Sequence, residues 1–187
     1  MSIPPSVAAF FPRAEVIHPK SLKPGKPLEK LDQIAFLVRD IDTAIEELGR
    51  LFGWGPFYVV MVDNEAVYRG VPTKYKLKLA FCQLGSLEIE LQQIVEGNTP
   101  HREQLETVGP GFFHMRLISD DINADLLHLN QHGISGIWEY LVDGQVLNSY
   151  TDSHLKVGFR AELIATRDQV AKMKKHEADA AVENIRE

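Results

Sequence analysis

The chain repeats one unit, and this repetition limits its possible folds more than any other feature. The first overlay, at a shift of 81 positions, places Gln33 on His114, and the second, at 72 positions, places Glu90 on Glu162. Internal repeats dictate architecture, so we expect two equivalent halves that share one core. The overlays join these segments: residues 33–42 with 114–123, and residues 89–91 with 161–163.

Each copy is predicted to form a strand, a helix and three further strands, from alternating apolar residues and from helical spacing. In the first copy, we predict a helix from Asp40 or Asp42 to about Leu51, and strands at 31–38, 57–62, 74–82 and 86–94. In the second copy, we predict a helix from Asp121 to about His132, and strands at 111–118, 136–142, 145–151 and 156–165. The fold class expected is α+β: two tandem βαβββ modules whose eight strands form an open, barrel-like cleft with the helices outside.

The modules leave three further segments. We predict a proline-rich N-terminal arm at 1–28, modules at 29–95 and 111–166, a joint at 96–110 with one helical turn, and a C-terminal helix at 167–187. Thr166 and Gln169 form a capping box at the start of that last helix. We expect the arm and the C-terminal helix to cover an edge or the contact of a homodimer.

Composition and local sequence patterns indicate which partners and which cellular compartment to expect. The net charge is -6 and no basic stripe is present, which argues against nucleic acid as a partner. Cys82 is the only cysteine, which fits a reducing compartment. No signal peptide pattern is present, and no apolar stretch approaches the ~20 residues of a membrane span. We therefore expect a cytoplasmic protein that binds a small molecule and neither nucleic acid nor a membrane.

The repeat-equivalent polar residues predict a metal site. Gln33, Glu90, His114 and Glu162 each lie on the opposite strand face from their apolar neighbours, so all four are expected to point to one side of the sheet. One imidazole, two carboxylates and one amide oxygen suit zinc first, and also nickel, cobalt, manganese or iron. Each residue alone is more often structural, and the hypothesis depends on their equivalent positions.

Other residues are candidates for contacts with a substrate. Lys76 and Lys78, with Lys74, share one face of a strand and either attract an anionic group or form a solvated face. Arg116 shares the face of His114 and either clamps a carboxylate or pairs with Glu90 or Glu162. Trp54 either walls a pocket or packs in the core.

At these residues the chain resembles the vicinal oxygen chelate superfamily, which includes glyoxalase I, methylmalonyl-CoA epimerase, extradiol dioxygenases and bleomycin-resistance proteins. The resemblance covers about residues 30–166, and its enzymes place metal ligands on the first and last strands of each module. The residues that carry it are Leu31-Asp32-Gln33-Ile34-Ala35, Phe52-Gly53-Trp54, Leu87-Glu88-Ile89-Glu90-Leu91, Gly111-Phe112-Phe113-His114-Met115 and Ala161-Glu162-Leu163.

The resemblance implies a metal-dependent isomerase, epimerase or lyase that removes a proton beside a carbonyl through a metal-stabilised enediolate. Glu162 would act as the base and Glu90 as the partner acid. The ligand order Gln, Glu, His, Glu looks like the animal type of glyoxalase I, whereas Glu46-Glu47 and the lysines depart from the glyoxalase and epimerase patterns. The alternatives are a non-enzymatic binding protein of the same fold and a ring-cleaving dioxygenase.

Overall fold

The computed structural model describes residues 17, 19–21, 23–24, 26–166 and 168–171. Between Leu31 and Ala165, eight strands and four helices follow one another. They are β1 Leu31–Leu37, α1 Ile41–Phe52, β2 Tyr58–Tyr68, β3 Val71–Leu84, β4 Leu87–Glu96, α2 Pro100–Thr107, β5 Gly111–Ser119, α3 Ile122–Gln131, β6 Gly136–Val142, β7 Gln145–Thr151, α4 His154–Val157 and β8 Arg160–Ala165.

The eight strands form one closed barrel in the order β1-β4-β3-β2-β6-β7-β8-β5. The predicted fold class is confirmed, with a mixed α+β barrel-like sheet and the helices outside. The ring closes more fully than an open cleft because β2 reaches β6 through two residue pairs, Val67 with Glu139 and Tyr68 with Trp138. On the opposite side the halves are joined by the much longer antiparallel ladder of β1 and β5.

The two halves are built alike. In each half the first strand pairs in parallel with the last, β1 with β4 and β5 with β8. Within these ladders Ala35 lies opposite Glu90, and Arg116 lies opposite Glu162. The first and last strands of both halves therefore stand side by side, in the order β4-β1-β5-β8, and form one wall of the barrel.

Helix α1 shows how the sequence sets the outer layer. Asp40 caps its first turn by accepting a hydrogen bond from the Thr43 amide at 2.7 Å, and Gly53 ends it with a φ of 69°. Its apolar side packs on the outer face of β1 and β4, where Ile41 and Leu91 are buried and the half-buried Phe36 packs against them. The predicted caps and the predicted outward apolar face are confirmed here.

Four elements differ from their predicted extent. The β2–β3 hairpin is longer, because an Arg69-Gly70 turn with positive φ at both residues joins strands that pair as far as Tyr68 and Val71. Helix α2 has two turns where one was expected, since Thr99 caps it and Pro100 begins it. The strand predicted from 156 is instead the short helix α4, ended by Gly158 at a φ of 80°, followed by β8.

The terminal segments are described only in part. The predicted capping box is present, since the Gln169 side chain accepts from the Thr166 amide at 2.7 Å and the Gln169 amide donates to Thr166 Oγ1. The remainder of the predicted C-terminal helix, beyond 171, lies outside the described residues, as does most of the N-terminal arm. Where the arm is described, Lys23 pairs with Asp125 at 2.8 Å and Lys26 with Asp120 at 2.5 Å.

The barrel interior is the main core of the molecule. It is apolar and aromatic at one level, where Tyr75, Phe113, Trp138 and Tyr150 pack together with Leu77. Next to this aromatic group the interior becomes polar, which is unusual for a buried region and marks the site described below. No helix in the described part of the chain is long and apolar enough to span a membrane.

Candidate active site

The four predicted ligands meet inside the barrel. His114 Nε2 lies 3.0 Å from Glu162 Oε2, 3.2 Å from Gln33 Oε1 and 3.6 Å from Glu90 Oε2. All four residues are at least 95% buried. Strand alternation thus placed them on the correct face, and the duplicated architecture brought them together at the centre of the wall formed by β4, β1, β5 and β8.

A β-bulge shapes the strand that carries His114. Ala35 lies opposite His114, but the next residue of β1, Phe36, lies opposite Phe112, which leaves Phe113 as an extra residue in β5. Both Phe113 and His114 are therefore buried inside the barrel. Simple alternation assigns Phe113 to the outer face, so the sequence pattern gave no sign of its inward position.

Acceptors outnumber donors at this centre. Two carboxylates and one amide oxygen converge on a single imidazole nitrogen, which carries at most one hydrogen. Buried carboxylates without enough positive charge are costly, so the cluster as a whole favours a cation. Within the described residues, no three His, Cys, Asp or Glu side chains have the arrangement of a formed metal site.

The donor set nevertheless fits a divalent metal. An imidazole nitrogen and carboxylate and amide oxygens are the groups that zinc and the harder transition ions accept. Gln33, Glu90, His114 and Glu162 would hold the ion between them. In most metal sites, the ring nitrogen of a ligating histidine that does not bind the metal donates a hydrogen bond. His114 differs, because its Nδ1 is buried and has no hydrogen-bond partner among the described residues.

The pKa values of Glu90 and Glu162 are shifted in opposite directions. Burial, reinforced by the charge of Glu162, raises the pKa of Glu90 to about 7 despite the opposing influence of His114. Burial also disfavours ionised Glu162, but contacts with His114 and a hydrogen bond from Asn148 outweigh it and lower the pKa of Glu162. Two carboxyl groups with separated pKa values can divide the roles of acid and base.

Neighbouring residues hold these side chains in place. Asn148 Nδ2 donates to Glu162 Oε1 at 2.6 Å. Gln92 Nε2 donates to the Tyr150 hydroxyl at 3.3 Å, and the Tyr150 ring lies 5.0 Å from that of His114. The sequence analysis did not single out these three residues, although each follows the inward parity of its strand.

A cavity of about 190 Å³ opens beside the cluster. Glu90 and Glu162 form part of its wall, so a molecule inside it would contact both carboxylates. The other lining residues are the aromatic Tyr75, Trp138, Tyr140 and Tyr150, the aliphatic Val62, Leu77, Leu79 and Leu147, and the amides Gln92 and Asn148.

The residues predicted to contact a substrate are not brought to this cavity. Lys76 and Lys78 alternate with the inward Leu77 and Leu79, so they point outward. On the outer surface Lys76 pairs with Asp63 and Glu96, and Lys78 pairs with Asp42. The solvated-face alternative therefore describes these lysines.

Arg116 and Trp54 also lie elsewhere. Arg116 forms a two-point ion pair with Asp32 at 2.8 and 2.9 Å and a further contact with Glu88 at 3.3 Å, rather than the expected pairing with Glu90 or Glu162. Trp54 packs against Phe52, with ring centroids 5.6 Å apart, and does not line the cavity.

A second buried histidine lies near the site but not in it. His101, on α2, is fully buried and stacks on Phe113 with ring centroids 4.6 Å apart. Neither of its ring nitrogens has a hydrogen-bond partner among the described residues. Burial lowers the pKa of His101 well below its ordinary value, so the ring is neutral.

Comparison with known proteins agrees with this architecture. Residues 32–151 match the sequence profile of the Glyoxalase/Bleomycin resistance protein/Dioxygenase superfamily, which is more than half of the chain. The chain belongs to this superfamily. No curated protein matches the sequence closely enough to count as a relative.

Solved structures of the superfamily share the fold. A methylmalonyl-CoA epimerase from Mycobacterium tuberculosis is 19% identical, with 76% of this chain and 91% of that chain covered and a TM-score of 0.50. A hypothetical protein from Bacillus halodurans C-125 is 17% identical over 74% and 94% of the two chains, with a TM-score of 0.52. A methylmalonyl-CoA epimerase bound to methylmalonyl-CoA and NH4+ is 16% identical over 73% and 94%, with a TM-score of 0.53. At these identities the likeness concerns the fold.

Proposed function

We propose that the protein is a metal-dependent isomerase or epimerase that moves a proton at the carbon beside a carbonyl group. The observation that carries this proposal is the convergence of Gln33, Glu90 and Glu162 on His114 Nε2, all within 3.6 Å, next to a cavity that both glutamates line. Membership of a superfamily that includes epimerases supports the same reaction class.

A divalent ion held by these four residues would supply Lewis-acid stabilisation of the oxygen atoms beside the reacting carbon. The residues themselves perform the proton transfer. Glu162, with its lowered pKa, is ionised at neutral pH and accepts the proton. Asn148 and His114 hold its carboxylate toward the cavity.

Glu90 is the partner acid. In the metal-free protein burial raises its pKa to about 7, so Glu90 has a higher proton affinity than Glu162, which suits a group that returns a proton to the substrate when it is not holding the ion. Glu90 and Glu162 approach His114 Nε2 from different strands, β4 and β8. A substrate carbon between them is thus accessible to one carboxyl for removal and to the other for return of a proton.

The proposal is tested first by metal content. Protein reconstituted separately with zinc, nickel, cobalt, manganese and iron is freed of unbound ion and analysed for its elements. We expect about one ion per chain, and loss of that ion in His114→Ala and Glu162→Gln. The exposed residues His154 and Glu46 provide matched controls, so His154→Ala and Glu46→Gln should keep the ion.

The reaction itself is tested by hydrogen exchange at carbon. Loaded protein in D₂O is incubated with candidate hydroxycarbonyl compounds, and deuterium incorporation beside the carbonyl is followed by NMR. Metal-dependent exchange that is lost in Glu162→Gln supports the proposal. A protein that retains none of the five ions is instead the non-catalytic binding protein, and oxygen consumption with a catechol would indicate the dioxygenase alternative.

A further inference from the structure

Two histidines lie side by side at the carboxyl end of α3, on the outer layer of the molecule. His128 and His132 are four positions apart, and their ring centroids are separated by 4.5 Å, with 45° between the ring planes. Residues four apart on a helix point to the same side. Two histidines at this spacing on one helix face can bind a single metal ion together. The proposed active centre uses neither of them.

The His132 ring is held in an orientation that leaves one nitrogen free to bind a metal. Its Nδ1 lies 2.8 Å from the backbone carbonyl oxygen of His128. A carbonyl oxygen can only accept, so Nδ1 carries the hydrogen and Nε2 of the neutral ring keeps its lone pair. Histidines that bind metals usually donate their other ring nitrogen to a carbonyl or carboxylate in this way. His132 therefore has the hydrogen bond of a metal ligand before any metal is bound.

Both rings can be reached from solution. His132 is exposed and His128 is half-buried. Lys156 approaches the same end of α3, but its ammonium contacts the backbone carbonyl of His132, which leaves the imidazole available. The carboxyl end of a helix carries partial negative charge from its unpaired carbonyl groups, so this position favours a cation.

The spacing of the two rings fits one ion bound to both. A metal about 2.0 Å from a ring nitrogen lies about 3.2 Å from the centre of that ring, so two rings on adjacent positions of a square-planar ion have centroids about 4.5 Å apart. The observed separation is 4.5 Å. Square-planar coordination by nitrogen and oxygen is typical of Cu(II) and Ni(II), and Cu(II) binds most tightly among the divalent first-row ions.

We propose that His128 and His132 form a second metal site, on the surface of α3, which binds Cu(II) and, more weakly, Ni(II). The two imidazoles occupy adjacent coordination positions and water completes the shell. The site does not depend on the proposed reaction, because neither histidine lines the active-site cavity. An ion held by two accessible side chains exchanges with solution, so it is removed together with unbound ion and does not alter the expected count of about one ion per chain.

The test is a calorimetric titration of Cu(II) into zinc-loaded protein in a buffer that does not bind metals. We expect His128→Ala and His132→Ala each to lower copper affinity by about tenfold or more, because the second imidazole binds intramolecularly at a high effective concentration. Replacing both should cause little further loss, since either change alone removes the chelate. Paramagnetic resonance of bound Cu(II) should show two coordinated nitrogens in the unsubstituted protein and at most one in each single variant.

Two controls separate the spacing of the histidines from their number and exposure. His154→Ala removes an exposed histidine outside α3 and should leave copper affinity unchanged. The double variant Leu127→His, His128→Ala keeps the number of histidines but places the pair five positions apart, so the two no longer share a helix face. Leu127 is 62% exposed, so this change leaves the core intact. The double variant should bind copper as weakly as His128→Ala.

Unchanged copper affinity in either single alanine variant, or an equal loss in His154→Ala, would overturn the proposed surface site. Full affinity in the double variant would also overturn it, because the number of histidines and not their spacing would then determine binding. His114→Ala separates this site from the proposed active centre and should leave the surface affinity unchanged. Copper binding that is lost in His114→Ala but kept in the α3 variants would place the ion inside the barrel, which would refute the surface site and leave the proposed function intact.

Discussion

Gln33 donates a hydrogen bond from Nε2 to Glu88 Oε1 at 2.7 Å, while its Oε1 faces His114. An ionised carboxylate can only accept, so Glu88 fixes which end of the amide points into the site. Arg116 in turn contacts Glu88 and is held by Asp32. The arginine that the sequence offered as a substrate clamp thus supports the orientation of a candidate ligand.

Removal of Glu88 should weaken metal binding without touching any ligand. We expect Glu88→Ala to lower cobalt affinity by about tenfold, the lower end of the effects found when residues that support metal ligands are replaced. The affinity is measured from the absorption of bound cobalt. Glu96→Ala, on the same strand but exposed, serves as the control.

Repeating the Glu88→Ala substitution in a Gln33→Glu protein makes this test specific. A carboxylate at position 33 has two equivalent oxygens and needs no orientation, so Glu88→Ala should not weaken cobalt binding in Gln33→Glu protein. Such a cycle isolates the coupling between the two positions. An equal loss in both backgrounds would mean that Glu88 acts through general stability.

Metal affinity should rise with pH. Glu90 has a raised pKa of about 7 in the metal-free protein, so below that pH the metal must displace a proton from it. We expect apparent zinc affinity to fall up to about tenfold for each pH unit below 7 and to level off above it. Calorimetry in buffers of different ionisation enthalpy counts the released proton, and Glu90→Gln should abolish that release.

His101 should make the free energy of unfolding depend on pH. Its pKa is lowered in the folded protein, so only the unfolded chain takes up a proton as the pH falls below about 6.5. The stability that this neutral ring contributes is present above that pH. It is lost on acidification, by up to ~1.4 kcal/mol for each pH unit.

Urea unfolding of metal-free protein between pH 5 and pH 7 checks this dependence. His101→Phe keeps the stacking on Phe113, so the stability of the wild type relative to this variant should fall on acidification. Glu90, whose raised pKa acts in the opposite direction, contributes equally to both proteins. His132→Ala, at an exposed position, should show no such change relative to the wild type. A difference between the wild type and His101→Phe that does not vary with pH would contradict the assignment.

Asn148 should influence the pKa of Glu162, the proposed base. Its hydrogen bond helps to lower the pKa of Glu162, so Asn148→Leu should raise that pKa and shift the acidic limb of the rate profile to higher pH. At pH 5 we expect up to about tenfold slower deuterium exchange, with recovery at neutral pH. Asn130→Leu, on the exposed surface of α3, is the matched control; a uniform loss at all pH values would contradict the assignment.

The sequence predicted the four candidate metal ligands better than the residues around them, for a physical reason. Gln33 and His114 occupy equivalent positions of a repeat, and strand alternation fixes the side of the sheet that each one faces. Those two facts do not depend on neighbouring strands, so the cluster could be predicted before the fold was known. The face of Phe113 could not, because it depends on a bulge between β5 and β1.

The supporting residues were missed because their partners are distant in sequence. Gln33 and Glu88 are 55 positions apart, and Arg116 and Asp32 are 84 positions apart. Nothing in the local pattern distinguishes Glu88, which makes these contacts, from an ordinary solvated glutamate. The predicted alternation of lysines with Leu77 and Leu79 along β3 is present in the structure. The sequence did not indicate which of the two faces of this strand would point into the barrel.

The long β1–β5 ladder carries a consequence for how the protein must be made. Gln33 and Glu90 belong to the first half of the chain, and His114 and Glu162 to the second, so neither half contains a site of its own. The candidate site is therefore complete only after the last strand, β8, has docked. When the first module has been synthesised, only Gln33 and Glu90 of the four candidate ligands are present.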